Sequence, residues 1–203
     1  MEGDNTMRIN TFTRVMHALM IITVMFQLFS GLFMEVPEPG KIVGWSNAIF
    51  YWHIIFFGWL AFLTSCVYAV IRFQEPGQWQ RLIPWFSKDG RSAFFKAVKE
   101  EIPDVLKGKL AKPEKQGPLA GAMHGLGFTL LICMGMTGAY AMNGVRSDGS
   151  MTMDMLLFLD MHSIFGFLIW AFLVGHVFMV FYHLVLGHKH ILDIFERVRI
   201  SWK

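Results

Sequence analysis

The sequence predicts an all-α integral membrane protein: a four-helix bundle forming one membrane domain over residues 1–203, with a surface helix in its long second loop. Three observations carry this expectation. Of the 203 residues 54% are hydrophobic and only 16% charged, where ordinary soluble domains carry about 25% charge. Twenty Phe, fifteen Met and a mean hydropathy of +0.44 give more apolar surface than a soluble core of this length can bury. Four apolar runs each reach the roughly 20 residues that a bilayer crossing requires. This balance excludes a disordered tail, a secreted disulfide scaffold and a conventional nucleic-acid binder, so membrane lipid is an expected partner and nucleic acid is not.

The spans fall at about residues 15–34, 49–71, 119–142 and 161–186. The first begins late, contains His17 and lacks a small-residue cleavage site before Glu35, so it reads as a retained span and not a signal peptide. Cys66 and Cys133 both lie inside apolar runs and read as packing residues, not as a disulfide or a metal site.

The connections set the orientation. Sixteen of the eighteen Lys and Arg residues lie in three places. Arg8 and Arg14 precede the first span, and Lys189, Arg197, Arg199 and Lys203 follow the fourth. The other ten, from Arg72 to Lys115, lie at the end of span two or in the 72–118 loop. Only Lys41 and Arg146 occupy the remaining two loops, beside Glu35, Glu38, Asp148, Asp154 and Asp160. Basic residues accumulate on the cytoplasmic side, so both termini and the 72–118 loop are expected there, in a multi-pass membrane protein. Trp45, Tyr51 and Trp52 on one side, and Trp79 and Trp85 on the other, read as interfacial anchors. Within the long loop Phe94, Phe95, Val98, Ile102 and Leu106 recur at helical spacing between Lys and Glu residues, interrupted near Pro103. That pattern fits a helix on the membrane surface, with docking to a partner as the competing reading.

Six of the eight histidines fall in or at the edge of the spans, where ionisable side chains are costly and mark function by default. His188 and His190 follow Gly187 and read as solvated. His162 and His176 are fourteen residues apart, nearly four turns, so they share one face and stand roughly 21 Å apart along the helix. Because successive spans alternate in direction, His53, early in span two, lies at the depth of His162. His17, early in span one, lies with His176. Two imidazole pairs at two depths match the axial ligands of two six-coordinate haems. A mononuclear zinc or copper site would gather three or four ligands at a single depth. His183, seven residues beyond His176, is an alternative inner ligand, a propionate contact or a proton shuttle, and His124, early in span three, lies at the inner depth as a pocket or proton-carrying residue. Gly166, one turn from His162, is where a side chain would strike a flat macrocycle. Close helix packing would explain Gly31, Gly58, Gly135 and Gly138 equally well.

These residues resemble the di-haem cytochrome b (gamma) subunits of membrane-bound formate dehydrogenases and nickel–iron hydrogenases, within the bacterial cytochrome b561-like group. Arg14-Val-Met-His17, followed by Ser30-Gly31, is similar to that family's first span. Gly117-Pro118-Leu119-Ala120 through Thr137-Gly138 resembles the hydrogenase type at span three. His162-Ser-Ile-Phe-Gly166 and Gly175-His176-Val resemble its fourth span, and Val105-Leu106-Lys107-Gly108 the formate dehydrogenase loop. Ala18 stands where the family usually has Trp, Gly58 follows His53 at five residues instead of four, and the Asn-Ala-Gly-Gln segment of formate dehydrogenase subunits is absent before span three. The resemblance implies His17, His53, His162 and His176 as ligands of two b-type haems, and a menaquinone or ubiquinone pocket near the start of span three.

The expected function is therefore electron transfer across the bilayer between the iron–sulfur subunit of a dehydrogenase or hydrogenase complex, with its catalytic subunit, and the quinone pool. Arg14 is expected to pair with a haem propionate, and His124 and His183 to serve the quinone and proton route. The residues fit either direction of flow. The alternative is a stand-alone cytochrome b561-type quinol oxidase reducing a small acceptor such as superoxide. A haem-free anchor would leave four depth-matched histidines unexplained.

Overall fold

The computed structural model describes residues 11–35, 45–74, 77–109, 117–143 and 152–195. The expectations placed on Arg8, Glu38, Lys41, Lys112, Lys115, Arg146, Asp148, Arg197, Arg199 and Lys203, and on the side chains of Trp45 and His190, lie outside the described residues. Among those described there is no strand. The elements are α1 (Thr11–Phe33), α2 (Trp45–Tyr51), a π-helical segment (Trp52–Gly58), α3 (Trp59–Gln74), α4 (Gln78–Leu82), a 3₁₀ turn (Pro84–Phe86), α5 (Lys88–Leu106), α6 (Pro118–Met142), α7 (Met153–Val185) and a second 3₁₀ segment (Lys189–Phe195).

Four of the helical stretches are long and apolar enough to cross a membrane: Thr11–Phe33, Ala48–Gln74, Pro118–Met142 and Met153–Val185. The expected all-α membrane bundle is thus what the chain forms. The largest departure is the start of α7, eight residues before the expected boundary. Hydropathy alone ends the span at Asp160, but a helix of 33 residues is about 50 Å long and outreaches a hydrocarbon core of about 30 Å. Asp154, in its first turn, sits where the helix dipole favours an anion. Most of α7 is accessible along its length, with Ile169 alone buried, as suits a helix whose apolar surface meets lipid.

The chain divides into two compact units. One comprises Leu19–Ala69 and Gly127–Leu173. Its core joins Leu28, Leu130 and Ile169, with Val24, Leu131, Phe165 and Trp170 packed around them. Its buried hydroxyls return to their own helices: Thr23 donates to the Leu19 carbonyl, Ser65 to Ala61 and Thr137 to Cys133, at 2.7–2.9 Å. In an apolar interior an unmatched hydroxyl is costly, and bonding back by one turn removes that cost. Cys66 and Cys133 are free thiols, both half-buried.

The other unit comprises Met1–Ala18, Val70–Leu126 and Val174–Lys203. Here the long loop is more ordered than its sequence indicates. Leu82 and Pro84 are fully buried; a Cβ at Gly125 of α6 would collide with the Leu82 backbone, and one at Gly121 would stand 2.9 Å from Arg81 Cβ and 3.1 Å from its carbonyl oxygen. Small residues one turn apart permit this approach. Ser87 caps α5 by accepting from the Gly90 amide at 2.9 Å.

The sequence expects α5 to break near Pro103, yet it continues to Leu106. Proline removes one amide donor close to the helix end, where few bonds remain to lose. The end is then closed by Gly108 at φ +76°, with Lys109 N–H bonding Asp104 O and Gly108 N–H bonding Val105 O, a Schellman cap. The expected single apolar stripe of α5 is instead divided. Phe94, Ala97, Val98 and Val105 turn inward, whereas Phe95, Ile102 and Leu106 are exposed. Tyr182 of α7 fastens the inward side by donating to the Val105 carbonyl at 2.6 Å.

Candidate functional site

In the first of these units His53 and His162 come together. Their ring centroids are 6.3 Å apart and their planes cross at 74°. His53 is almost completely buried, at 4% exposure, and rides on the π-helical segment. That segment accounts for the five-residue interval to Gly58. With i→i+5 bonding, residue 58 comes to lie over His53, and a Cβ there would fall 2.6 Å from the His53 carbonyl oxygen. Gln27 of α1 donates to the same carbonyl at 2.7 Å. Three residues on, Ser30 reaches the ring itself, its Oγ 2.7 Å from Nδ1.

The hydrogen-bond partners fix which ring nitrogen carries the proton. Ser30 has one hydroxyl hydrogen and donates it back to the Phe26 carbonyl at 2.6 Å. With that hydrogen on a carbonyl, its oxygen is free to accept from His53 Nδ1, the arrangement that leaves the His53 Nε2 lone pair open. His162 Nδ1 lies 2.9 Å from the Met134 carbonyl, which also can only accept. Thr137 Oγ1, its hydrogen turned to the Cys133 and Met134 carbonyls, stands at 3.4 Å from the same nitrogen. Each ring thus has its Nδ1 engaged, the arrangement in which a neutral histidine binds a metal through Nε2 while its other nitrogen is held.

A cavity of about 270 Å³ opens at the pair, lined by Gln27, His53, Gly58, Met134, Gly138 and His162 among mostly apolar neighbours. Gly138 is the glycine pressed against His162: a Cβ there would meet ring atoms Cε1 and Nδ1 at 2.9 and 3.0 Å. At Gly31 a Cβ would touch His53 Cε1 at an ordinary 3.7 Å. Gly166, expected to clear a macrocycle, faces the Met134 methyl, where a Cβ would stand at 3.4 Å.

In the second unit the ring of His124 lies edge-on to His176, centroids 5.6 Å apart. His17, His124 and His176 are near enough for their charges to interact, and Arg72 is within such reach of His124. His124 Nδ1 donates to the Ala120 carbonyl at 2.7 Å, leaving Nε2 as an acceptor. Its ring stays accessible although protein surrounds it on most sides, as for a residue lining a cleft. His17 packs edge-on against Phe195 at 5.7 Å, and Arg14, on the same helix, is half-buried with Nε withdrawn from solvent.

His183 is paired elsewhere, its Nδ1 3.0 Å from Nδ1 of His188. A Schellman cap at Gly187 (φ +80°) brings them together, with His188 N–H bonding His183 O and Gly187 N–H bonding Leu184 O. His188 is accordingly half-buried, where the sequence expects it solvated. Among the described residues no three His, Cys, Asp or Glu side chains converge on a point that one ion could fill.

A histidine pair with both Nδ1 atoms engaged, set among apolar helices long enough to cross a membrane, suits one class, the multi-pass membrane cytochromes. The chain belongs to one family within it: residues 8–197 match the model of the prokaryotic cytochrome b561 family, whose members bind b-type haem and transfer electrons in membranes. No curated protein and no solved structure matches the chain.

The His53–His162 pair fits such a group on three counts. Two imidazoles bound through Nε2 to one ion between them, about 2 Å from each, have ring centres roughly 6 Å apart, near the observed spacing. Each ring can turn about its own metal–nitrogen bond, so crossed planes are compatible with ligation. Both Nδ1 atoms are already engaged. Gln27, Ser30, Met134 and Gly138 are the residues that sequence reasoning did not assign. Ser30-Gly31 and Thr137-Gly138 were visible as motifs, but their role depends on which histidine each faces.

Proposed function

We propose that this protein is the di-haem b subunit of a respiratory oxidoreductase, with one haem held by His53 and His162 and a second by His17 and His176. The observation that carries the reading is the His53–His162 pair, spaced for bis-imidazole ligation with both Nδ1 atoms engaged in hydrogen bonds. Haem, when bound, supplies reversible one-electron iron chemistry. His53 and His162 would hold it, and a haem held by two histidines would serve electron transfer over ligand binding. Ser30 and the Met134 carbonyl orient the rings, and the apolar walls keep water away.

In the second unit His17 and His176 are the ligands, Arg14 faces a propionate, and His124 lines a quinone pocket from which it and His183 pass protons. Menaquinone and ubiquinone fit this chemistry equally. The distribution of Lys and Arg supports a cytoplasmic side for the termini and the 72–118 loop, in the inner membrane. The exposed Phe95, Ile102 and Leu106 beside Lys99 support α5 lying on that membrane surface. The partner is the iron–sulfur subunit of a dehydrogenase or hydrogenase, a reading that the family's own label, a nickel hydrogenase cytochrome b, favours.

The test is a pyridine haemochrome assay with a redox titration on the detergent-purified chain. Two b haems per chain with separable midpoints is the expected result, and folded protein without haem overturns the proposal. A second reading, a stand-alone quinol oxidase, is favoured by the accessible His124 beside His176. Co-purification with an iron–sulfur protein supports the subunit reading, and quinol oxidation by the isolated chain supports the second.

A further inference from the structure

Helix α1 grips His53 at two points. Gln27 Nε2 donates to the carbonyl of His53, and Ser30 Oγ meets its ring Nδ1, both at 2.7 Å. The first contact steadies the π-helical turn, whose carbonyls depart from the ordinary i→i+4 ladder. The second contact bears on the electronic state of the ring. Ser30 is buried, at 6% exposure, and its Oγ also lies 2.6 Å from the Phe26 carbonyl and 3.2 Å from that of Gln27. A serine that gives its hydrogen to either carbonyl turns a lone pair to His53 Nδ1 and accepts from it.

The facing ring is held differently. His162 Nδ1 rests on the Met134 backbone carbonyl at 2.9 Å, with Thr137 Oγ1 only a distant 3.4 Å neighbour. One ring of the pair is thus oriented by a side chain that substitution can remove, and the other by a backbone group that it cannot.

We propose that Ser30 is a positioning residue that locks the tautomer of His53 and raises its basicity, lowering the midpoint potential of the haem that His53 shares with His162; this rests on the haem reading given above. An acceptor on Nδ1–H pushes electron density towards Nε2, and a more basic ligand stabilises ferric over ferrous iron. Removing the acceptor should therefore shift one midpoint upward, by about 59 mV for each tenfold loss of ferric preference in a one-electron couple.

The experiment compares wild type with Ser30→Ala, Ser30→Cys and Thr137→Val in detergent. Haem per chain, both midpoints and the low-spin ferric resonance spectrum are measured for each. Ser30→Ala should keep its haem, raise one midpoint, leave the other unmoved and alter one ferric signal. Ser30→Cys keeps a heavy atom at the γ position, but its larger sulfur is a poor acceptor, so it should move the same midpoint in the same direction. Thr137→Val should leave both midpoints in place because Met134 O still holds His162.

Unmoved midpoints in the serine variants with full haem content would overturn the role of Ser30, as would an equal shift from Thr137→Val. If Ser30→Ala fails to assemble, Ser30→Cys decides, and wild-type midpoints in it refute the proposal. Wild-type protein without haem would instead overturn the underlying haem assignment, so the two failures are distinguishable.

Discussion

The rings of His53 and His162 stand 6.3 Å apart, centre to centre, and each Nδ1 is already engaged, one by Ser30 Oγ and the other by the Met134 carbonyl. Chemistry at this pair must run through Nε2. Substituting His53 by Ala should therefore remove one haem and spare the other, halving the haemochrome absorbance per chain while the protein still inserts. Ser30 keeps its own bond to Phe26 O in that variant, so no buried hydroxyl hydrogen is stranded. Loss of both haems or of neither would refute the separate-site assignment.

Two glycines near the pair should respond oppositely to the same change. Gly138→Ala places a methyl 2.9 Å from Cε1 of His162, a ring anchored on Met134 O, so the ring must move. Gly31→Ala places its methyl at a van der Waals distance of 3.7 Å from His53. We expect Gly138→Ala to lower haem content or broaden one ferric signal, and Gly31→Ala to match wild type in both. Haem loss per chain, read beside an α-helical circular dichroism control, makes the comparison.

The four spans were legible because hydropathy is a local property. His53 meets His162, while the ring that lies against His176 is that of His124. What a linear reading misses is local exception and distant contact. The five-residue step from His53 to Gly58 looks like a family mismatch until a π turn accounts for it. Gly121 and Gly125 carry no visible signal, because the segment resting on them is forty residues upstream. His188 reads as solvated because nothing in the sequence shows that the Gly187 cap will fold it back onto His183.

Glu101 supplies a pH dependence outside the spans. Its burial on α5, and then the charge of neighbouring Glu100, push its carboxyl above the ordinary range. The folded chain then holds this proton where the unfolded chain has released it. Stability should rise as pH falls through the window between the two values, with the penalty fully present above it. Glu101→Gln should raise the thermal midpoint at neutral pH and reduce the gain that wild type shows on acidification. The side chain is partly solvated, so the effect will be small. Melting curves across the carboxylate range check it, and parallel profiles for the two proteins would place the dependence elsewhere.

The docking of the long loop can be tested at Gly125. A Cβ at that position would overlap the Leu82 carbonyl and stand 2.5 Å from its carbon. Backbone cannot rotate away as a flexible side chain can, so Gly125→Ala must displace the 81–82 segment. Leu82 and Pro84, both fully buried, would then lose their seats. Overpacking of a tight contact costs about 1–3 kcal/mol, and here the loss of the two seated residues adds to it. Gly175→Ala is the matched control, since a Cβ there meets nothing within 4 Å. It lies beside His176, so it also shows whether a methyl next to a proposed ligand is harmful by itself. Limited proteolysis of detergent-solubilised protein should cut Gly125→Ala faster between residues 77 and 109, leaving Gly175→Ala at the wild-type rate. Equal rates for all three would mean that the loop holds its place without the Gly125 contact.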